Sequence, residues 1–371
     1  MADDASHAST SRFPRRGRGA TLDPPNRFHE AQREPVDDGW ERADPGADPP
    51  QQRVRTTVTI QPARSIVTRN DSPDIPFTQS INPYQGCEHG CVYCYARPSH
   101  AYLDHSPGLD FETKLYAKPD AANLLRDELA RPGYVCDPIA LGTNTDPYQP
   151  IEREWRVTRS ILEVLARTSH PFSIVTKNAL VLRDLDLIAP MAKRGLVKVY
   201  LSITTLDADL ARRMEPRASA PARRVEAVGA LARAGVPAGV MVAPLIPQLN
   251  DRDLESILEA CARAGATSAG WILLRLPREV APMFRDWLSV HYPDRAAHVM
   301  SLLRDARGGR DYDARFGERM RGRGVYAGLI ERRFEIACRR LGLNVDREYA
   351  ALDRSQFVPP PSDEGRQASL F

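Results

Sequence analysis

From about residue 75 to residue 277, short apolar runs alternate with amphipathic stretches. The runs Ile139–Leu141, Phe172–Val175, Val197–Ser202, Gly239–Ala243 and Ala269–Leu274 have the length and composition of buried strands. Between them, Val157–Arg167, Leu182–Ala192, Ala222–Ala234 and Leu254–Ala264 place apolar residues at helical spacing. Gly195, Gly235 and Gly265 each stand where a helix should stop, shortly before the next strand. Five such units, with one more strand leading into a cysteine-rich loop, predict an α/β fold with a parallel sheet and helices outside. No glycine-rich phosphate turn follows the first strand, so a closed or partly open (β/α) barrel fits better than a doubly wound sheet.

The barrel is expected over residues 53–277. Residues 278–345 hold no convincing strand and read as a helical C-terminal cap. Residues 1–52 are rich in Pro, Gly, Asp and Arg without a sustained apolar period, which predicts a largely disordered arm. Arg12, Arg15, Arg16 and Arg18 form a basic cluster beside Phe13 there, read first as a solvated tail and second as a nucleic-acid arm. Residues 346–371, with Pro359-Pro360-Pro361, read as a flexible tail.

Hydrophobic residues make up 42% of the 371, enough for a sizeable core. The net charge is only +3, so any case for nucleic acid must be local. No run of ~18 apolar residues predicts a membrane span, and the N-terminus lacks the apolar core of a secretory signal. A cytoplasmic, monomeric protein is expected. Of six cysteines, three fall within eight residues, the pattern of metal or cluster ligands rather than of a disulfide scaffold.

That segment reads Cys87-Glu88-His89-Gly90-Cys91-Val92-Tyr93-Cys94. Thiolates at C-x3-C-x2-C spacing wrap a soft metal or a cluster with little backbone rearrangement. A 4Fe–4S cube offers four irons to three local sulfurs, which leaves one iron for a chelating small molecule. Two other readings stand beside this one: a zinc site completed by His89 or His100, and a four-cysteine cluster closed by Cys136. Cys261 and Cys338 fall within apolar helical patterns and read as core. Cys136 precedes a strand; it reads as filler or as a hydrogen-donating thiol.

The cysteine loop, with Tyr93 before its last cysteine, resembles the signature of the radical SAM superfamily. The wider pattern resembles an uncharacterised bacterial family grouped with spore photoproduct lyase-like proteins. It comprises Asn82–Arg97, Gly142–Pro150, Arg213–Arg217 and Val242–Asp251. The resemblance implies a partial (β/α)6 TIM-like barrel of the radical SAM type, with a 4Fe–4S cluster and S-adenosylmethionine as cofactors. It implies that the amino and carboxylate groups of S-adenosylmethionine chelate the open iron. An electron from a reductase or flavodoxin-type donor then cleaves the sulfonium to a 5′-deoxyadenosyl radical, which takes a hydrogen atom from substrate. By family position Tyr93 lies beside the adenine, while Thr143 and Asn144 stand where relatives place a Gly-Gly-Glu that meets the methionine amino group. Ser202 and Thr204 are candidates for the ribose or carboxylate, and Arg217 for the carboxylate. Spore photoproduct lyase carries a hydrogen-donating cysteine after its second barrel strand, where this chain has Thr143.

Between Arg304 and Arg340 eleven arginines face six acidic residues, with Tyr312, Phe316 and Tyr326 interleaved. Such a stretch either offsets phosphate charge and stacks on bases or forms the solvated face of amphipathic helices. The chain ends Gln367-Ala368-Ser369-Leu370-Phe371, similar to the peptide by which bacterial replication and repair proteins dock on the sliding clamp. The expected function is thus a radical SAM enzyme acting on a DNA lesion or modified base. The alternatives are the same chemistry on RNA, a peptide or a small metabolite, and a non-catalytic iron–sulfur or zinc module.

Overall fold

A computed structural model of the chain describes residues 17–28, 54–345 and 351–361. Among them ten strands run in chain order: β1 (Thr57–Ile60), β2 (Val67–Arg69), β3 (Gln79–Ile81), β4 (Tyr84–Gln85), β5 (Lys114–Ala117), β6 (Ile139–Leu141), β7 (Phe172–Thr176), β8 (Val197–Ser202), β9 (Ala238–Leu245) and β10 (Ser268–Leu273). Seven form one sheet in the order β10-β9-β8-β7-β6-β3-β2. From β3 to β10 every pairing is parallel, and only the edge strand β2 is antiparallel. This is the six-stranded partial barrel that the alternation predicts.

Why these segments become strands and helices is visible in their burial. In β8, Val197, Val199 and Leu201 are completely buried. The helices Val157–Arg167, Leu185–Ala192, Pro221–Arg233 and Leu254–Ala264 lay apolar faces on the sheet. Gly195, Gly235 and Gly265 end the turns before the next strand in the left-handed region, with φ of 73°, 74° and 106°.

Sequence reading missed a second sheet of three strands, ordered β1-β5-β4. It backs the cysteine loop, because β4 lies immediately before Cys87. The cap is helical as expected, with Val280–His291, Pro293–Asp305 and Gly324–Leu341.

The two ends need correction. Residues 17–28 lie on the folded body, with Arg18, Gly19, Ala20, Thr21 and Asn26 buried, because backbone and polar groups rather than apolar periodicity attach them. Residues 351–361 are likewise docked: Val358 N–H donates to Thr168 O at 2.9 Å, and the Phe357 ring centroid lies 5.5 Å from that of Tyr134. The basic residues Arg12, Arg15 and Arg16, and the terminal Gln367, Leu370 and Phe371, lie outside the described residues. Among the described residues no helix is long and apolar enough to cross a membrane.

Candidate functional site: a cysteine loop at the strand ends

Because β3 and β6 to β10 are parallel, the residues that follow each strand share one rim. After β3 comes the cysteine loop; after β6, Gly142–Pro150; after β7, Lys177; after β8, Thr204; after β10, Arg275. That carboxyl-end rim is where barrel enzymes assemble their sites.

The cysteine loop is pinned on all sides. Cys87 N–H donates to Phe111 O at 2.9 Å and Val92 N–H to Met214 O at 3.1 Å. Gln149, fully buried, accepts from Glu88 N–H at 2.9 Å and donates to Gly86 O at 3.2 Å. Arg97 Nε donates to Cys91 O at 2.9 Å. Cys87 and Cys91 are buried and Cys94 half-buried, all as free thiols.

Burial raises all three thiol pKa values, with Asp146 adding to the effect at Cys87 and Glu215 at Cys91. At Cys94 the Arg97 charge opposes burial without reversing it. A bound cluster would supply the positive charge that such thiols need to ionise, and their spacing on one loop of eight residues suits it. The donor set therefore fits an iron–sulfur cluster.

The two histidines that would complete a zinc site are bonded to other groups. His89 Nδ1 lies 3.4 Å from Asp146 and its Nε2 3.4 Å from Asn178, and His100 Nε2 meets Lys114 O at 3.0 Å. Among the described residues no three His, Cys, Asp or Glu side chains converge as a single ion requires; a cube instead spreads its thiolates over separate irons.

Cys136 lies at the opposite ends of the strands from this rim. It precedes β6, at the amino ends of the strands, with its pKa pushed up to about 11 by partial burial and Asp137. A parallel strand separates it from Gly142 and the cysteine loop.

The other sequence-derived candidates divide. Tyr93 is buried and its hydroxyl donates to Glu215. Thr204 donates to the same carboxylate at 2.9 Å, and Arg224 pairs with it. Burial opposes ionisation of Glu215, but Arg224, Lys177 and Tyr93 outweigh it and the pKa is lowered. Ser202 offers its backbone carbonyl to Arg224 Nη1 at 2.9 Å. Asn82 holds the segment after β6, accepting from Asn144 N–H at 3.0 Å and donating to Thr143 Oγ1 at 3.4 Å. Arg217 pairs with Glu88 at 3.1 Å.

Sequence reading missed Lys177 and Glu215. Lys177 is half-buried, its Nζ 5.9 Å from the Tyr93 ring centroid, and its charge is felt by Cys91, Cys94 and Glu215. Its place immediately after β7 was the available signal. Tyr95, next to Cys94, is 44% exposed, and the Arg275 guanidinium sits 4.8 Å from its ring centroid. In the cap, Arg304, Arg315, Arg319, Arg323, Arg333 and Arg340 are engaged in ion pairs, and Arg307 donates to the carbonyls of Glu318, Leu273 and Leu274.

Comparison with known proteins agrees with this geometry. Residues 81–261 match the Radical SAM superfamily. An uncharacterised protein of Mycobacterium tuberculosis is 40% identical over 232 residues, covering 62% of this chain and 68% of that one. An uncharacterised protein of Methanocaldococcus jannaschii is 29% identical over 171 residues, 46% of this chain and 61% of its own. Among solved structures, spore photoproduct lyase complexed with dinucleoside spore photoproduct superposes with a TM-score of 0.53 at 18% identity, covering 77% of this chain and 80% of that chain. The chain belongs to the radical SAM superfamily. Membership implies an enzyme that uses S-adenosylmethionine and an iron–sulfur cluster.

Proposed function

We propose that Cys87, Cys91 and Cys94 hold a 4Fe–4S cluster, that S-adenosylmethionine takes the iron without a cysteine, and that the substrate is DNA carrying a damaged or modified base. The observation that carries the reading is the placement of three free thiols, two buried and one half-buried, on one pinned loop at the carboxyl ends of six parallel strands. When bound, the cluster and its cofactor supply one-electron cleavage of a sulfonium and removal of a hydrogen atom from an unreactive carbon.

The chain's own residues orient and insulate that chemistry. Lys177 carries an ammonium whose charge reaches Cys91 and Cys94 and which would pair with the cofactor's carboxylate. Glu215, ionised and buried, fixes the Tyr93 ring through its hydroxyl and is itself held by Arg224 and Thr204. Val92, fully buried between the second and third cysteines, keeps water from that side of the loop.

Support for DNA comes from Tyr95 and Arg275 rather than from the number of arginines in the cap. A ring open at the rim can stack on a base, and a guanidinium beside it can meet a phosphate. Among the described residues, Arg275 donates to Tyr312 Oη at 3.4 Å and Met320 Sδ at 3.5 Å and lies over the Tyr95 ring, with no ion pair within 4 Å.

The test is deuterium transfer into 5′-deoxyadenosine from labelled DNA, with Arg275→Ala alongside. The variant should bind DNA about tenfold more weakly with a salt slope smaller by about one, while reductive cleavage of the cofactor without substrate is unchanged. Wild-type DNA binding by Arg275→Ala, with deuterium arriving only from RNA, peptide or metabolite, would overturn the DNA assignment and leave the cluster assignment standing.

A further inference from the structure

Residues 17–28 cross the cysteine loop although nothing in their composition marks them as core. Arg18 Nη1 donates to Glu112 O at 2.8 Å, and its Nη2 to Val54 O at 2.7 Å and Thr56 Oγ1 at 3.0 Å. The Gly19 and Ala20 amides donate to the two carboxylate oxygens of Glu112 at 3.0 and 2.9 Å. Glu112 is completely buried and pairs with the equally buried Arg97. Arg97 in turn donates to the carbonyls of Cys91 at 2.9 Å, Pro107 at 3.1 Å and Gly108 at 2.8 Å. A continuous line of charged and backbone hydrogen bonds therefore runs from the arm through Glu112 and Arg97 to the second cysteine.

The arm also touches the loop directly. A Cβ on Gly19 would stand 1.8 Å from Gly90 O and 3.3 Å from Val92 N. These are backbone atoms, so no side-chain rotation relieves the overlap. Beyond this contact, Asp23 accepts from Ser106 Oγ and Leu109 N–H, both at 2.7 Å, and Asn26 donates to Ala101 O at 2.8 Å. Thr21 and Arg27 reach across to the cap, to Asp286 and Glu279, both at 2.6 Å.

We propose that residues 18–27 are a clasp that positions the cluster loop, with Gly19, Ala20 and Arg18 acting as positioning residues through Glu112 and Arg97. The proposal rests on the reading of that loop as the cluster site. Its physical basis is the cost of a buried ion pair. Glu112 and Arg97 are out of water, and such a pair is stable only when further donors and acceptors satisfy both members. The arm supplies two amides to the carboxylate and covers Gly90 with its own backbone. With the arm lifted, water would reach Glu112, Arg97 would lose its fixed partner, and the carbonyl of Cys91 would lose its fixed donor.

The experiment uses the full-length chain carrying Gly19→Val, with Arg27→Ala as a comparison that removes the arm's far ties, to Glu279, to Pro98 O and to the Phe28 and Tyr102 rings, and leaves Gly19 and Ala20 on Glu112. Amide hydrogen exchange of the iron-free protein is followed over residues 86–97. The reconstituted protein is followed by the rate at which a chelator removes iron and by the paramagnetic resonance spectrum of the reduced cluster. Gly19→Val should raise exchange in the arm and in residues 86–97 together, speed iron loss about tenfold, and broaden or shift the spectrum; Arg27→Ala should leave all three near wild type. Arg18→Met, which cuts the arm's side-chain ties without creating an overlap, should move the same readouts in the same direction should Gly19→Val not fold. Increased exchange confined to the arm, with wild-type loop exchange and iron loss, would overturn the clasp. A wild-type chain that takes up no iron would instead sink the cluster reading, and the iron-free exchange experiment would still decide on the clasp.

Discussion

Cys87, Cys91 and Cys94 are the three thiols of one loop, and a cluster held by three ligands should need each of them. Replacing any one with serine should reduce iron in the anaerobically reconstituted protein to a background level, measured by iron and sulfide analysis against an unchanged far-ultraviolet circular dichroism spectrum. Glu215→Gln probes the partner network differently. It leaves the buried Arg224 without its counter-charge, so urea unfolding should show a loss of about 3–5 kcal/mol. Two buried histidines give a pH dependence. His100 and His170 have pKa values lowered to about 4, first by burial. The unfolded chain binds protons at these groups near pH 6.5 while the folded chain does not, so stability should be complete above about pH 6.5 and fall as the pH drops toward 4. Replacing His170 with Gln should flatten that slope in chemical denaturation; an unchanged slope would remove His170 as a contributor. The cysteine trio was legible from spacing alone, since ligand spacing is local. The role of Arg217 was not, because Glu88 and Arg217 meet only after the chain folds back on itself, and spacing carries no information about such a pair. Lys177 was hidden because it belongs to no local motif, and Glu215, though inside the Arg213–Arg217 stretch, because its partners Tyr93, Thr204 and Arg224 are brought to it only by folding.

At the level of elements, the strands and their covering helices could be read because each has its own periodicity, and β6 and β8 begin and end where the apolar runs do. The small β1-β5-β4 sheet could not, since its strands are two to four residues long and pair across distant parts of the chain. The arm and the 351–361 segment escaped notice because polar and backbone bonds attach them, and these leave no apolar pattern. One turn shows how the elements serve the site. Gly142 ends β6 at φ 89°, and a Cβ there would lie 2.0 Å from Val175 O. Gly142→Ala should therefore destabilise the fold by about 1–3 kcal/mol, and it should disturb the Asn82 bonds to Thr143 and Asn144. A thermal unfolding scan checks the first, and amide exchange over residues 142–146 the second. Phe357→Ala, which removes a ring lying against Tyr134 and His170, should lower stability without changing iron content; a parallel loss of iron would mean that the far end of the barrel is coupled to the cysteine loop.

Over the whole molecule 51 basic side chains nearly balance 48 acidic ones, and in the cap, where arginines are in excess, six of them are paired with carboxylates. A charge count along the sequence does not show which arginines are paired, and the structure pairs six of the eleven. Delivery to DNA is then assigned in this proposal to the C-terminal Gln367, Leu370 and Phe371. A pull-down should capture sliding clamp with the full chain and lose it when Leu370 and Phe371 are replaced by alanine; equal capture would dismiss the peptide. The claim on which the rest depends is that three cysteines carry a cluster with one iron open to the cofactor. The most direct measurement is paramagnetic resonance of the anaerobically reconstituted, dithionite-reduced chain before and after addition of S-adenosylmethionine, with metal analysis on the same sample. The account predicts about four irons per chain and a spectrum that changes when the cofactor binds. Stoichiometric zinc, or a cluster whose spectrum is indifferent to the cofactor, would contradict it.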